Sequence, residues 1–100
     1  MNTIDTEWLT AARDLLTASS EAGMQVQRLE KEAENNPYDS SRANLSARTL
    51  RYRLERLRAE AKQAQATGEP AENLLKLTVD LQAVKQLAAQ ERDILKQDIA

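Results

Sequence analysis

Apolar residues recur at heptad spacing, without interruption, through the middle of the chain. They follow one another at alternating steps of four and three, and they are Ala43, Ala47, Leu50, Leu54, Leu57, Ala61 and Ala64. This spacing places one stripe along one side of a helix and is typical of helices that pack lengthwise on another helix. The segment therefore predicts a long helix with one buried side, and it restricts the chain to helical-bundle or coiled-coil folds.

Two further segments have helical periodicity, and the residues between the segments are typical of helix ends. The first segment ends before Pro37, because the residue that precedes a proline is disfavoured in the helical conformation. The second ends at Gly68, which suits the left-handed position after a helix, and Pro70 suits the first position of the next helix. We therefore predict three helices, at about residues 4–35, 41–67 and 70–99.

One place in the first helix interrupts its apolar spacing. Ser19, Ser20 and Gly23 lie there together, and a glycine inside a helix costs about 1 kcal/mol relative to alanine. We expect a bend or a soft point at residues 19–24, with a complete break of the helix as the alternative.

The two connections between the predicted helices are short. Long helices that are joined by short connections pack as antiparallel neighbours. We predict an all-α fold in a single domain over residues 1–100. Its architecture is an elongated antiparallel three-helix bundle, or a coiled-coil-like helical hairpin with an additional N-terminal helix.

Most of the apolar residues are small or medium in size. The sequence has 16 alanines and 14 leucines but only 3 aromatic residues, so each buried position removes little surface from water. Chains of this length bury roughly 60–70% of their unfolded surface. One hypothesis is therefore that a second copy of the chain, for example in a homodimer, or another protein supplies further burial.

The charge is small overall but unevenly distributed. The net charge is −2 and the pI is near 5.2, which argues against a general nucleic-acid binder. Residues 1–39 carry a net charge of −5, residues 40–62 carry +5 and residues 63–100 carry −2. A basic second helix between two acidic ones indicates helices that attract one another within the fold.

The residue types argue against catalysis and against cofactor binding. The chain has no cysteine and no histidine, which excludes thiolate chemistry and nearly all zinc sites. Glu30 and Glu34 have the spacing to hold a cation together, but a solvated helix end is the simpler interpretation. We predict a non-enzymatic protein without a metal, a cofactor or a small-molecule substrate.

The sequence gives no indication of a membrane protein or of an exported one. No window has the roughly 18 apolar residues that a membrane span needs. The first residues lack the basic and apolar regions of a signal peptide. We therefore predict a cytoplasmic location.

The heptad register of the second helix also defines an outward row. Leu45 and Tyr52 share the position that points away from the stripe, and Arg48 and Arg56 flank Tyr52 at spacings that place both guanidinium groups beside the ring. Tyrosine and arginine are enriched in the energetically dominant residues of protein interfaces. The row is thus a candidate interaction surface, with coverage by the first helix or by another subunit as the alternative.

Trp8 is the other residue of interest, because it lies on the first apolar turn of the first helix. It is either a plug at the end of the core or part of a binding surface. The candidate partner-binding residues are Leu45, Arg48, Tyr52, Arg56 and Trp8.

Two functions remain after these exclusions. The first is a protein–protein interaction module: a small helical adaptor, assembly factor, chaperone or inhibitor that binds a larger partner through a helix face. The alternative is a nucleic-acid-binding module that contacts phosphates through Arg48, Arg51, Arg53, Arg56 and Arg58. A structural role competes with the second function, since arginines beside the stripe can bridge to acidic residues of the neighbouring helices.

Overall fold

The fold is a bundle of three α-helices. The structure is a computed structural model that describes residues 3–36 and 40–99, with the side chains of residues 6–36 and 40–97. The helices are α1 (Thr3–Glu34), α2 (Ser41–Thr67) and α3 (Ala71–Ile99), and the described residues contain no strand. The predicted helix ends differ from these by at most one residue. Pro37, which we expected to end the first helix, lies outside the described residues.

The heptad stripe of α2 faces the core of the bundle, as predicted. All seven stripe residues are buried. They pack with residues of α1 and α3 in one main cluster, and Ala33, Ala43 and Leu95 form a second, smaller cluster. Among the residues whose side chains the structure describes, the buried hydrophobic ones are nine alanines, eight leucines and two valines, without an aromatic residue. The bundle is elongated, with principal extents of 57 × 20 × 15 Å.

The turn between α2 and α3 has the geometry that its glycine predicts. Gly68 adopts the left-handed conformation with φ of 66°, and its N–H and that of Glu69 donate to carbonyls in the last turn of α2. The indole Nε1 of Trp8 donates to the carbonyl oxygen of Glu69 over 2.7 Å. The start of α1 is therefore fastened to this turn.

α1 is one unbroken helix, so the alternative of a break at residues 19–24 is wrong. A contact from α2 lies at this place. Arg58 donates through Nε to the Ser19 hydroxyl and through Nη2 to the Ser19 carbonyl oxygen, each over 3.0 Å. A Cβ atom on Gly23 would overlap the Arg58 guanidinium. The small residues that weaken the helix locally thus make room for an arginine that anchors it.

A second arginine joins α3 to α1. Arg92 donates from Nε and Nη2 to the two carboxylate oxygens of Glu32, each over 2.9 Å, and from Nη1 to Gln25 over 2.7 Å. Hydrogen bonding from Arg92 lowers the pKa of Glu32, against the opposing effect of partial burial. Two such parallel bonds fix the geometry better than a single ion pair does.

The Arg58 contact generates a prediction for Gly23→Ala. In the chain with Arg58→Ala, this substitution should stabilise the fold by about 1 kcal/mol, because alanine is the better helix former. In the chain with Arg58 present, the added methyl displaces the guanidinium from Ser19, so we expect the gain to vanish or reverse. A double-mutant cycle by chemical denaturation measures the difference. Equal effects of Gly23→Ala in the two backgrounds would contradict the contact.

The Arg92 contact generates a prediction for stability in acid. The pKa of Glu32 is lower in the folded chain than its unfolded value of about 4.3, so the unfolded chain takes up the proton more readily. The stabilisation is therefore complete above that value and is lost as the pH falls through the folded pKa. About a third of the Glu32 side chain is exposed, so water weakens the pair, and Glu32→Gln should cost roughly 0.5–1 kcal/mol at pH 7 and flatten the loss of stability below about pH 5.

Glu34→Gln is the matched control for this prediction. Glu34 is exposed on the same helix and has no ion pair within the described residues. Thermal unfolding followed by circular dichroism from pH 7 to pH 3 should separate the two variants. An unchanged pH dependence in Glu32→Gln would show that the pair contributes nothing to stability.

Candidate interaction surface

The outer row of α2, which comprises Leu45, Arg48, Tyr52 and Arg56, lies on the surface of the bundle. Leu45 is 60% exposed and Tyr52 is 72% exposed, whereas Leu54 in the stripe is fully buried. The alternative that α1 covers this row is therefore wrong. The helix thus has its apolar stripe toward the core and a second, smaller set of apolar side chains toward solvent.

The arginines of the outer row are largely free of partners in the chain itself. Arg48 is exposed and has neither an ion pair nor a side-chain hydrogen bond to any described residue. Arg56 lies 3.5 Å from Glu60 on the same helix, with 70% of its side chain exposed. Pairs of this kind contribute a few tenths of a kcal/mol at most. Arg53, one residue beyond Tyr52, is also exposed and unpaired among the described residues.

Acidic side chains lie near one edge of the row without neutralising it. The groove between α1 and α2 beside Arg48 is lined also by Glu30, Glu34 and Asn44. Glu30 is bonded to Arg51, which donates to its two carboxylate oxygens over 3.0 and 2.7 Å. This leaves Glu34 as the acidic group of that groove which has no described partner.

Two of the five arginines that could contact phosphate are held inside the bundle. Arg51 binds Glu30 and also donates to Glu55 over 3.0 Å. The hydrogen bond to Glu30, followed by that to Glu55, raises the pKa of Arg51 above its usual value. Arg58 binds Ser19 and lies 3.8 Å from Glu55. Of the five arginines, Arg48, Arg53 and Arg56 therefore remain available to phosphate.

Trp8 lies apart from the outer row. Its ring is half-buried against the main core cluster, and its indole bonds to the turn after α2, which is 17 residues beyond Tyr52. The structure thus brings four of the five candidate partner-binding residues together and places the fifth at the end of the bundle.

Glu30 and Glu34, which have the spacing to hold a cation, differ in their contacts. Glu30 of the Glu30 and Glu34 pair is bonded to the guanidinium of Arg51. The part of the chain that the structure describes contains no group of three or more side chains that could hold a metal ion.

A second exposed apolar surface lies on α3 and was not predicted from the sequence. Leu75 and Val79 of α3 are 49% and 62% exposed, and they line a groove with Asp14 and Glu21 of α1. The sequence signal that could have indicated this surface is an apolar residue directly after a position of the buried side. Leu75 follows Leu74 in this way, and Val79 follows Thr78. Other exposed large hydrophobic residues are scattered along α1 and α3: Leu9, Leu16, Met24 and Leu87.

Comparisons with known proteins do not add to this description. No family model, no curated protein and no solved structure matches the chain. Among the described helices, none combines the length and the apolar character that a membrane crossing requires.

The exposure of the outer row predicts that it contributes little to stability. Tyr52→Ala and Leu45→Ala should each change the free energy of unfolding by less than about 0.5 kcal/mol. Leu54→Ala, two residues away but fully buried, should cost about 2–5 kcal/mol. Urea denaturation of the three variants tests this contrast. Unfolding of the chain by Tyr52→Ala would show that the row belongs to the core.

Proposed function

We propose that this chain is a non-enzymatic protein–protein interaction module that acts in the cytoplasm and binds an acidic surface of a protein partner through the outer row of α2. The observation that carries the proposal is the 72% exposure of Tyr52 between two arginines. An aromatic ring that stays in water in the isolated chain gains apolar burial on binding, at a small cost in side-chain entropy. The adjacent guanidinium groups select a partner with negative charge.

The size of α2 supports a contact along its length. The helix has 27 residues and is therefore about 40 Å long. The outer row spans Leu45 to Arg56, or three turns, which is the length over which one helix face contacts another. A small helical adaptor, assembly factor, chaperone or inhibitor uses a surface of this kind.

The residue inventory supports a non-enzymatic role. The sequence has neither cysteine nor histidine. The described residues with a shifted pKa are Glu32, Arg51 and Arg92, and each of them belongs to an ion pair between helices. A structural ion pair accounts for each shift, so none of them requires a catalytic explanation.

We also propose that the bundle is a single domain with antiparallel neighbours. In α2, Arg58 follows Arg51, but Arg58 contacts Ser19 of α1, which precedes Glu30, the contact of Arg51. This reversed order supports an up-down-up path. The outer row then faces away from both other helices, which leaves it open to a partner.

The second candidate function is nucleic-acid binding through Arg48, Arg53 and Arg56. The observation in its favour is that these arginines are exposed while Arg51 and Arg58 are held by the bundle. Three phosphate contacts give weak binding that falls steeply with salt. A mobility-shift assay with duplex DNA and with RNA at low salt decides between the two candidates.

The test of the proposed function is capture of protein partners from native cell extract by the wild-type chain and by Tyr52→Ala. Residues of this kind at the centre of an interface contribute about 2 kcal/mol or more, which is roughly a thirtyfold loss of affinity. We therefore expect the captured protein, quantified by mass spectrometry, to disappear with Tyr52→Ala. Arg48→Glu should have the same effect, because it reverses the charge beside the ring.

The matched control is Leu16→Ala. Leu16 is 68% exposed, which is close to the exposure of Tyr52, but it lies on α1. This variant should capture the same protein as the wild type. Equal capture by the wild type and by Tyr52→Ala would refute the proposed role of the outer row.

A further inference from the structure

The groove between α1 and α3 is a second surface that the proposed function leaves unexplained. Its floor contains Ala18 and Thr78, which are almost fully buried. The Thr78 hydroxyl already donates to the Leu74 carbonyl, so the floor has no unmet hydrogen-bond donor. Leu75 and Val79 stand at the edge of the groove with about half of their surface exposed. The groove is thus a concave, partly apolar strip with a small-residue floor.

The other edge of this groove is acidic. Asp14 is exposed and has no partner among the described residues. Glu21 lies 3.5 Å from Lys85, with 48% and 39% of the two side chains exposed. A surface pair of this kind is weak and readily exchanges for a better one. The groove therefore presents negative charge beside its apolar side chains.

The two exposed surfaces of the chain are complementary in charge and in shape. The outer row is convex, with Leu45 and Tyr52 between Arg48 and Arg56, and Arg53 adds a further positive charge. The groove is concave and acidic. Opposite charges around apolar centres are the arrangement that steers and fixes a specific contact.

The two surfaces cannot meet within one molecule. All three helices contact one another, so the outer row of α2 and the outer groove between α1 and α3 lie on opposite sides of the bundle. A contact between them requires two molecules and joins two different surfaces. Such a contact is heterologous, and it leaves one surface free at each end.

We infer that the groove between α1 and α3 of one molecule binds the outer row of α2 of a second copy of this chain. The inference rests on the proposed function, because it names the partner of the outer row. Association continues beyond a dimer, since each added copy presents another free row or groove. The contact area of one helix face is small, which places the affinity at the weak, roughly micromolar to millimolar, end of the scale.

The test is sedimentation velocity on the full chain at concentrations up to about 1 mM, at low salt, where weak contacts between exposed charges persist. The wild type should gain mass continuously with concentration and pass the mass of a dimer. Tyr52→Ala removes the row, and Val79→Lys places positive charge in the groove. Each variant alone should be monomeric, with association at least tenfold weaker.

A mixture of the two variants tests directly whether the row of one molecule binds the groove of another. The Val79→Lys molecule has an intact row, and the Tyr52→Ala molecule has an intact groove, so the mixture should form a one-to-one dimer and nothing larger. Leu16→Ala and Gln90→Lys are the controls for the two substitutions, because Leu16 of α1 and Gln90 of α3 are exposed and do not line the groove, and both variants should associate as the wild type does. Circular dichroism verifies that every variant keeps its helix content.

Three results would overturn the inference. They are a wild type that stays monomeric, a Val79→Lys variant that associates like the wild type, and a mixture that contains no dimer. A monomeric wild type whose outer row still captures another protein overturns the self-association alone. A Tyr52→Ala variant that still captures protein and still associates as the wild type does overturns the proposed function as well.

Discussion

The bundle depends on arginine side chains that reach from α2 and α3 to defined polar atoms on α1. Nine of the nineteen buried hydrophobic residues in the described part of the chain are alanines, so the shape of the core fixes the position of α1 less firmly than larger side chains would. Small, similar side chains pack almost equally well after a shift of one turn. Arg51, Arg58 and Arg92 each bind α1 through two or more hydrogen bonds, at Glu30, Ser19 and Glu32. These fixed geometries select one axial register.

The same contacts determine what the basic helix can offer to another molecule. Arg51 and Arg58 lie beside the stripe and are used inside the bundle, whereas Arg48 and Arg56 lie in the outer row. Arginines that lie within eleven positions of one helix therefore have two different roles: some hold α1, and the others are exposed to a partner. The charge of +5 over residues 40–62 overstates the free basic surface, because part of it is neutralised by α1. This division favours a partner that needs an apolar contact with a few charges over one that needs many phosphate contacts.

Much of the fold could be predicted from the sequence, because strong local signals mark it. Proline and glycine indicated the helix ends, and the heptad spacing identified every buried residue of α2. The surroundings of Gly23 could not be predicted in this way. Its local effect is to weaken a helix, but its effect in the structure is to admit the Arg58 guanidinium, which arrives from 35 residues away. Local propensity contains no information about such a contact.

The same distinction applies to the candidate surfaces. The outer row follows from the heptad register of one helix, so it could be identified from the sequence. The structure was needed to exclude the alternative that α1 covers it. The groove of Leu75 and Val79 is formed by two helices, and its existence depends on which side of α3 faces α1. Sequence periodicity gives the buried side of each helix but not the angle between two neighbours. Surfaces that one helix forms alone are therefore the ones that sequence reasoning finds.

The location of Tyr52 is the strongest physical reason to assign this chain a binding role. The described part of the core contains no fully buried aromatic residue, and a large ring there would add more apolar burial than any alanine does. Tyr52 lies instead on the side of α2 opposite the stripe, two turns from Leu45, and both side chains are mostly exposed. Isolated exposed hydrophobic residues are common, but two on consecutive heptads of one row, flanked by the unpaired Arg48 and the weakly paired Arg56, form a surface. Such a surface removes its apolar area from water only when a second molecule covers it.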